Sequence, residues 1–278
     1  MKKQIELVHF QITKNCNLRC HFCGQWGGKG FFSSANGVAL SMEEWMDCAR
    51  QLKELSPVPK IILWGGEPLI CPFFDMLSEA LFQMGFKLQL VTNGTLLNEH
   101  VQTISKCFEK LYVSIDGLAE YHNSIRGKGV FERVTRNLTM IPGEKIEIMT
   151  VATQGLQIEP FADYFRHYPI LLQTLISFNQ KEIEDYQKWF RRVFQGEASD
   201  IESWLGEGYV PDKSVIDTLP ENITFMAHGK AAKNRYCLSP FRHIHISWNG
   251  NVMYCTDFYD FSAGNVRNGK IIDIFLNQ

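Results

Sequence analysis

The feature that most constrains this chain is a regular alternation of short apolar runs with longer segments of helical periodicity. A short apolar run bounded by turn residues is typical of a buried strand, and apolar residues three and four positions apart indicate a helix. Strand–helix units in strict order favour parallel strands joined by right-handed crossovers. The sequence therefore predicts an α/β fold, a partial (β/α)6 barrel resembling part of a TIM barrel. Its predicted strands are Ile5–Thr13, Ile61–Trp64, Leu88–Thr92, Leu111–Asp116, Ile146–Ala152 and Leu171–Phe178.

Helices are predicted between these strands, and the rest of the chain divides into two further parts. Ser41 and Glu44 form a capping box at the start of the first helix, since each side chain can satisfy a free backbone N–H of the other's turn. The other predicted helices are Pro72–Met84, Leu97–Cys107, Val130–Ile141, Ile158–His167 and Glu182–Gln195. Residues 1–180 are predicted to form the barrel, 181–233 a helical connector, and 234–278 a small module that contains a β-hairpin and ends in a strand, Ile271–Phe275.

Charge and hydrophobicity exclude several classes of partner. Lys+Arg 28 against Asp+Glu 30 leaves a net charge of -2, so no basic excess is present to bind a nucleic-acid backbone. No apolar run approaches ~18 residues, so we expect neither a membrane span nor a signal peptide. Cysteines without a secretory signal indicate a reducing compartment, and we expect a cytoplasmic protein whose thiols bind metal or react. Because the first strand begins almost at Met1, we also expect no N-terminal leader-peptide domain.

Polar and glycine-rich segments follow the first four predicted strands. The carboxyl ends of parallel barrel strands are where reactive groups gather. The segments are, in chain order, a cysteine loop that we define as residues 14–25, a glycine turn at Gly65–Pro68, an asparagine turn that begins at Thr92-Asn93-Gly94, and Ser114–Gly117 followed by Arg126. One face of the barrel is thus predicted to collect thiols, exposed backbone, a carboxylate and a guanidinium.

The cysteine loop carries three thiols, Cys16, Cys20 and Cys23, with three and two residues between them. Three thiolates cannot complete a tetrahedral zinc site unaided. They can bind three irons of a cubane and leave the fourth iron open for another ligand. A structural zinc site completed by His21 or by a remote residue is the alternative reading of the same spacing.

The ordered set of motifs resembles the radical S-adenosylmethionine (SAM) superfamily, over residues 1–180. The resemblance implies that Cys16, Cys20 and Cys23 bind a [4Fe–4S] cluster whose open iron is chelated by the amine and carboxylate of SAM. It also implies that one electron from the reduced cluster splits SAM into methionine and a 5′-deoxyadenosyl radical, which takes a hydrogen atom from the substrate. The electron would come from a one-electron reductant such as flavodoxin or ferredoxin. Chemistry of this kind belongs to the cofactor, and the protein positions it.

The resemblance further implies which residues contact SAM. The backbone carbonyls of Gly65, Gly66, Glu67 and Pro68 would accept from the amine. Ser114 and Arg126 resemble the pair that binds the carboxylate, for which a guanidinium fork is well shaped. Phe22 resembles the aromatic residue near the adenine, and Thr92 is expected near the ribose or the methionine moiety.

The predicted C-terminal module carries a second cysteine signal. Cys237 and Cys255 flank apolar alternation and an Asn249-Gly250 turn, which predicts a hairpin that brings the two thiols together. This stretch resembles the opening of a SPASM or shorter twitch domain, which binds an auxiliary iron–sulfur cluster. The family has further cysteines downstream, whereas none follows Cys255 here. Either the auxiliary cluster is incomplete, or the sequence stops before the module does, or other residues complete it, for which the candidates are Cys71, His228, His243 and His245.

The substrate is less constrained than the cofactors. A SPASM-like module favours hydrogen abstraction from a peptide or protein side chain, giving oxidation or a cross-link. The alternatives are a twitch-type small-molecule dehydrogenase or carbon–carbon-bond enzyme, and a non-catalytic iron–sulfur or zinc protein. A wide mouth lined by aromatic residues would favour the peptide, and a small polar one the small molecule; the aromatic candidates are Trp26, Phe31 and Phe32. Cys48, Cys71 and Cys107 are expected in the core. Candidate catalytic groups are Asp257, Asp260 and also Cys71, because Cys71 follows the glycine turn.

Overall fold

The computed structural model of the chain describes residues 4–21, 23–25, 37–152, 155–174, 217–226, 239–254 and 262–276. Several predicted features lie outside these ranges. They are the helix 182–195, the end of the sixth predicted strand, and the residues Phe22, Trp26, Phe31, Phe32, His228, Cys237, Cys255, Asp257 and Asp260.

Strands and helices alternate through the described part of the chain as predicted. The strands are β1 Leu7–Thr13, β2 Lys60–Gly65, β3 Leu88–Thr92, β4 Phe108–Ser114, β5 Ile146–Ala152, β6 Ile170–Thr174, β7 Ile223–Met226, β8 His243–Ile246, β9 Asn251–Met253 and β10 Gly264–Asn265. The helices are α1 Met42–Lys53, α2 Phe74–Gln83, α3 Val101–Cys107, α4 Ala119–Arg126, α5 Val130–Leu138, α6 Ile158–Tyr164, α7 Ser239–Arg242 and α8 Ile271–Leu276. Short 3-10 turns follow β2 and precede α3 and β5.

All described strands belong to one sheet in the order β10-β9-β8-β1-β2-β3-β4-β5-β6-β7. The strands from β8 through β1 to β7 are parallel, while β9 and β10 add antiparallel to β8. The predicted α/β class and the partial, open barrel are confirmed. The structure adds two parallel strands that the sequence did not predict for the barrel: β7, within the expected connector, and β8, which pairs with β1.

The hydrophobic core lies between the sheet and the helices that cover one of its faces. Phe10 of β1 packs on Trp45 of α1 with ring centroids 4.7 Å apart, and Phe74 of α2 stacks on Phe108 of β4 at 5.8 Å. Because side chains alternate along a strand, the neighbours of these core residues face the inside of the barrel. Residues such as His9 and Gln11 therefore line the inner face of the sheet.

Local rules account for the ends of α1 and for one wrong prediction. Ser41 and Glu44 form the predicted capping box, with Ser41 N to Glu44 Oε2 at 2.8 Å and Glu44 N to Ser41 Oγ at 3.3 Å. The run Ile271–Phe275, predicted as a strand, is the helix α8. Its buried residues, Ile271 and Phe275, are four positions apart and face α1, a spacing that suits a helix better than a strand.

Three predicted core cysteines are buried in the structure: Cys48, Cys71 and Cys107. The Cys71 thiol points at the backbone carbonyl of Ile12, 3.9 Å away, within the core between sheet and helices. It thus lies on the outer side of β1, so we assign it to packing rather than to catalysis. In the described part of the chain, no helix has both the length and the apolar composition that crossing a membrane requires.

Candidate functional site

The cysteine loop places its three thiols at the carboxyl end of β1. Cys16, Cys20 and Cys23 are half-buried and free of disulfides, and Cys23 N donates to Cys20 O at 3.1 Å. Burial raises the pKa of Cys16, and it raises that of Cys20 to about 11, with the neighbouring thiols acting in the same direction. A cation is therefore needed to hold them as thiolates at neutral pH. Among the described residues, no three Cys, His, Asp or Glu side chains converge as the ligands of a single metal ion do. The thiolates that bind a cubane need not converge in this way, because each binds a different iron.

The glycine turn lies flat against the start of the cysteine loop. A Cβ on Gly65 would stand 2.3 Å from Thr13 O, and one on Gly66 would stand 2.2 Å from Asn15 O. The close approach permits two backbone hydrogen bonds, Gly66 N to Thr13 O at 2.9 Å and Glu67 N to Asn15 O at 2.8 Å. Only glycine fits here because any side chain would overlap the loop backbone.

Glu67 ties the glycine turn to the asparagine turn (Thr92–Thr95). Its fully buried carboxylate accepts from Thr92 Oγ1 at 2.7 Å, Asn93 N at 2.7 Å and Leu69 N at 3.1 Å. Burial raises the pKa of Glu67 to about 7, against the opposing effect of these donors. The hydroxyl of Thr92 also accepts from Gly94 N at 3.0 Å. Thr92 is therefore part of the frame of the site, and its expected place near the cofactor stays a prediction.

The asparagine turn in turn contacts the cysteine loop. Asn93 Nδ2 donates to Asn17 Oδ1 at 2.8 Å and lies 3.8 Å from Cys16 Sγ. Asn17 Nδ2 donates to Thr95 Oγ1 at 2.9 Å. The cysteine loop is therefore held by hydrogen bonds to the end of β3 as well as to the end of β2.

The third anchor comes from α4. His21 N donates to Ile125 O at 3.0 Å, which places the following residue, Arg126, beside the thiols of Cys20 and Cys23. Arg126 is almost entirely buried and pairs through Nε with Asp116 Oδ2 at 2.5 Å. Burial alone would lower the pKa of Arg126, but Asp116 and the two thiols raise it above its usual value. The guanidinium therefore stays charged next to the cysteine loop.

Asp116 was predicted only as part of the polar segment after β4, and the structure shows what it does. Its Oδ1 accepts from Val151 N at 3.2 Å, and its own backbone N donates to His122 Nδ1 at 3.1 Å. Ser114, at the end of β4, is buried, and its hydroxyl has no hydrogen-bond partner among the described residues. The same holds for the two Nη groups of Arg126. Unused donors of this kind are available to a ligand.

A second group of rings lies along the inner face of β2, β1 and β8. His9 of β1 stacks on His245 of β8 with centroids 4.1 Å apart, and Trp64 of β2 meets His9 edge-on at 6.4 Å. Burial lowers the pKa of His9 to about 3 and that of His245 well below its usual value, and neighbouring histidines add to both shifts. His245 Nδ1 and Trp64 Nε1 are buried without a hydrogen-bond partner in the described structure. The three rings form an uncharged polar wall at neutral pH.

Comparison with known families identifies two segments. The Radical SAM superfamily matches residues 10–168, which begin within β1, extend past α6 and contain every anchor of the cysteine loop described above. The iron–sulfur cluster-binding domain named SPASM matches residues 237–278.

Individual relatives agree with this result. A protein named Probable GTP 3′,8-cyclase from Methanocella arvoryzae is 22% identical over 281 residues, covering 98% of this chain and 85% of that protein. One named AdoMet-dependent heme synthase from Methanosarcina barkeri is 25% identical over 297 residues, covering 98% and 82%. The crystal structure of Streptococcus suis SuiB bound to precursor peptide SuiA superimposes with a TM-score of 0.66 at 15% identity, covering 98% of this chain and 65% of that one. This last likeness supports the fold.

Proposed function

Because the chain belongs to the radical SAM superfamily, whose cofactors are a [4Fe–4S] cluster and S-adenosylmethionine, we propose that Cys16, Cys20 and Cys23 bind that cluster. When bound, the cluster and SAM supply a 5′-deoxyadenosyl radical that abstracts a hydrogen atom from a substrate. One observation carries the proposal: three free thiols share one loop that is held by β2, β3 and α4 and flanked by a buried cation. A one-electron reductant such as flavodoxin or ferredoxin is the expected partner.

The described residues also offer contacts for SAM. The carbonyl of Gly66 accepts no hydrogen bond from any described residue and lies beside the cysteine loop, where it suits an amine. The Nη groups of Arg126 and the hydroxyl of Ser114 suit a carboxylate. Asp116 holds Arg126 through Nε, which leaves the two Nη groups of the guanidinium available to a ligand. Phe22 remains the predicted contact of the adenine.

For the substrate we propose a small organic molecule ahead of a peptide or protein side chain. The relatives that match 98% of this chain are named for GTP cyclisation and heme synthesis. The inner face of the sheet carries polar side chains, including buried Gln11 and His245, as a small polar substrate requires. A peptide side chain remains the second candidate, because the SPASM match extends through the C-terminal segment. In either case Cys237 and Cys255 are the proposed ligands of an additional iron–sulfur cluster.

SAM cleavage in anaerobically reconstituted protein tests the proposal. With dithionite as reductant we expect 5′-deoxyadenosine and methionine in equal amounts. Replacing Arg126 by Gln should weaken SAM binding by about tenfold or more, equivalent to about 1.4 kcal/mol. Arg50→Gln is the matched control, since Arg50 forms only exposed ion pairs on α1. If the protein takes up zinc rather than iron, or releases no 5′-deoxyadenosine, the non-catalytic alternative is correct.

A further inference from the structure

Cys16 differs from the other two cysteines in what surrounds its sulfur. Leu18 N lies 3.4 Å from Cys16 Sγ and Asn93 Nδ2 lies 3.8 Å from it. Among the described residues, no hydrogen bond reaches the sulfur of Cys20 or Cys23. The environment of the three proposed ligands is therefore unequal. One of the two donors belongs to the cysteine loop itself, and the other, Asn93, is a side chain on a neighbouring strand end.

The orientation of the Asn93 amide is fixed by its other partners. Its Oδ1 faces two donors of Thr95, the backbone N at 3.0 Å and the hydroxyl at 2.6 Å. A backbone N–H can only donate, so the atom that faces it must be the oxygen. The nitrogen is consequently on the side of the cysteine loop, where one of its two hydrogens serves Asn17 Oδ1 at 2.8 Å and the other is directed toward Cys16 Sγ.

Asn93 is also held firmly in this position. Asn93 and Thr95 are both buried, and Asn17 Nδ2 donates to the Thr95 hydroxyl at 2.9 Å, which closes a ring of three side chains. Hydrogen bonds in a low-dielectric site of this kind are strong, and the donor needs no rearrangement when charge develops on the sulfur.

We propose that Asn93 sets the reduction potential of the cluster by donating a hydrogen bond to Cys16, and that Asn17 and Thr95 position it for this. The proposal rests on the proposed function, since it requires Cys16 to be a cluster ligand. Hydrogen bonds to ligand sulfurs withdraw electron density and favour the reduced cluster, which carries one more negative charge. The amide thus makes it easier for the cluster to accept one electron from its reductant, with no proton transferred.

The test is a redox titration of the reconstituted protein without SAM, followed by electron paramagnetic resonance. Asn93→Asp keeps the oxygen that accepts from Thr95 and removes the donor, and Asn93→Ala removes the donor without adding charge. Both should shift the midpoint potential to more negative values, with the larger shift for the aspartate. Iron and sulfide are counted in every sample, so that each potential refers to a fully loaded cluster.

Asn137→Ala is the control for a general loosening of the asparagine turn. Asn137 Nδ2 donates to Gly94 O and Thr95 O, both at 3.0 Å, and so supports the turn from α5 without reaching the sulfur. This variant should lose thermal stability and keep the wild-type potential. An unchanged potential in loaded Asn93→Ala, or an equal shift in Asn137→Ala, overturns the proposal. A wild-type protein that binds no iron would instead refute the proposed function.

Discussion

The two sides of β1 differ in whether their buried polar groups have hydrogen-bond partners. On the β2 side, Glu67 accepts three hydrogen bonds, and two of them join the end of β2 to the end of β3. On the β8 side, His9 and His245 stack on one another, and His245 Nδ1 has no partner in the described structure. The first region is a satisfied polar frame, and the second is an uncharged wall that faces the inside of the barrel.

The difference favours the β2 side as the place of the proposed charged cofactor. A frame whose donors and acceptors are already paired stays in one geometry at little cost in free energy. It also orients side chains that still have unused donors, such as Arg126. A wall of neutral rings offers no charge but leaves ring nitrogens for a substrate or water. The two sides should therefore respond differently to substitution and to pH.

The largest expected effect comes from removing the close approach that builds the frame. In Gly66→Ala the new methyl group would stand 2.2 Å from Asn15 O, and two further backbone atoms lie within 2.7 Å. Because these are backbone atoms, the cysteine loop must move, at a cost of about 1–3 kcal/mol. We expect strongly reduced iron uptake on reconstitution and a lower melting temperature.

Gly143→Ala is the matched control for that substitution. Its nearest neighbour would be a Tyr168 ring atom at 3.9 Å, an ordinary contact, so iron content and stability should stay at the wild-type level. Full iron uptake by Gly66→Ala would show that the glycine turn does not shape the cysteine loop.

Glu67 should give the frame a pH dependence of its own. Its pKa is raised from 4.5 to about 7 in the folded protein, so between these values the folded state binds more protons than the unfolded state. Its contribution to stability is therefore present below pH 4.5 and is lost as the pH rises toward 7. Glu67→Gln should flatten this part of the profile and cost about 1–3 kcal/mol overall, since Asn93 N then faces an amide donor or loses its acceptor. Unfolding by urea at several pH values measures both effects.

The uncharged wall of His9, His245 and Trp64 should have a pH dependence of the opposite sign. Substitution there should cost less stability, because His245 Nδ1 has no hydrogen-bond partner to lose in the described structure. The pKa of His9 is lowered from 6.5 to about 3, and that of His245 is lowered as well, so the unfolded state binds more protons below pH 6.5. Their contribution is present above pH 6.5 and is lost as the pH falls. His245→Phe keeps a buried ring and should flatten the acid side of the profile. If Glu67→Gln and His245→Phe change the slope between pH 4.5 and 6.5 in the same direction, the contrast between the two sides is wrong.

Periodicity predicted the fold, and spacing indicated the three cysteines that we propose as cluster ligands, because both signals are local in sequence. The order of β1 to β6 follows from apolar runs, and Cys16, Cys20 and Cys23 are separated by a few residues. The run Ile271–Phe275 was wrongly predicted as a strand because a short apolar segment fits both the helical and the strand period. Packing against α1, which is distant in sequence, favours the helix. Strand β7 was missed because four residues at a sheet edge give a weak signal.

The supporting contacts were beyond the sequence because they join distant positions. Asn17 and Asn93 are 76 positions apart, and nothing in their local pattern distinguishes them from ordinary turn residues. The Asp116–Arg126 pair is closer in sequence, at 10 positions, but its importance depends on burial next to the thiols. The sequence showed only that each strand end carries polar residues. It did not show which of them form hydrogen bonds or ion pairs with each other.

The most direct measurement is iron and sulfide per chain in two multiple variants, alongside 5′-deoxyadenosine release. Replacing Cys16, Cys20 and Cys23 by Ala should remove about four irons and four sulfides relative to wild type and abolish SAM cleavage. Replacing Cys237 and Cys255 by Ala should leave those four in place. A triple variant that keeps its full iron content, or a wild-type protein that binds zinc in place of iron, would contradict the account.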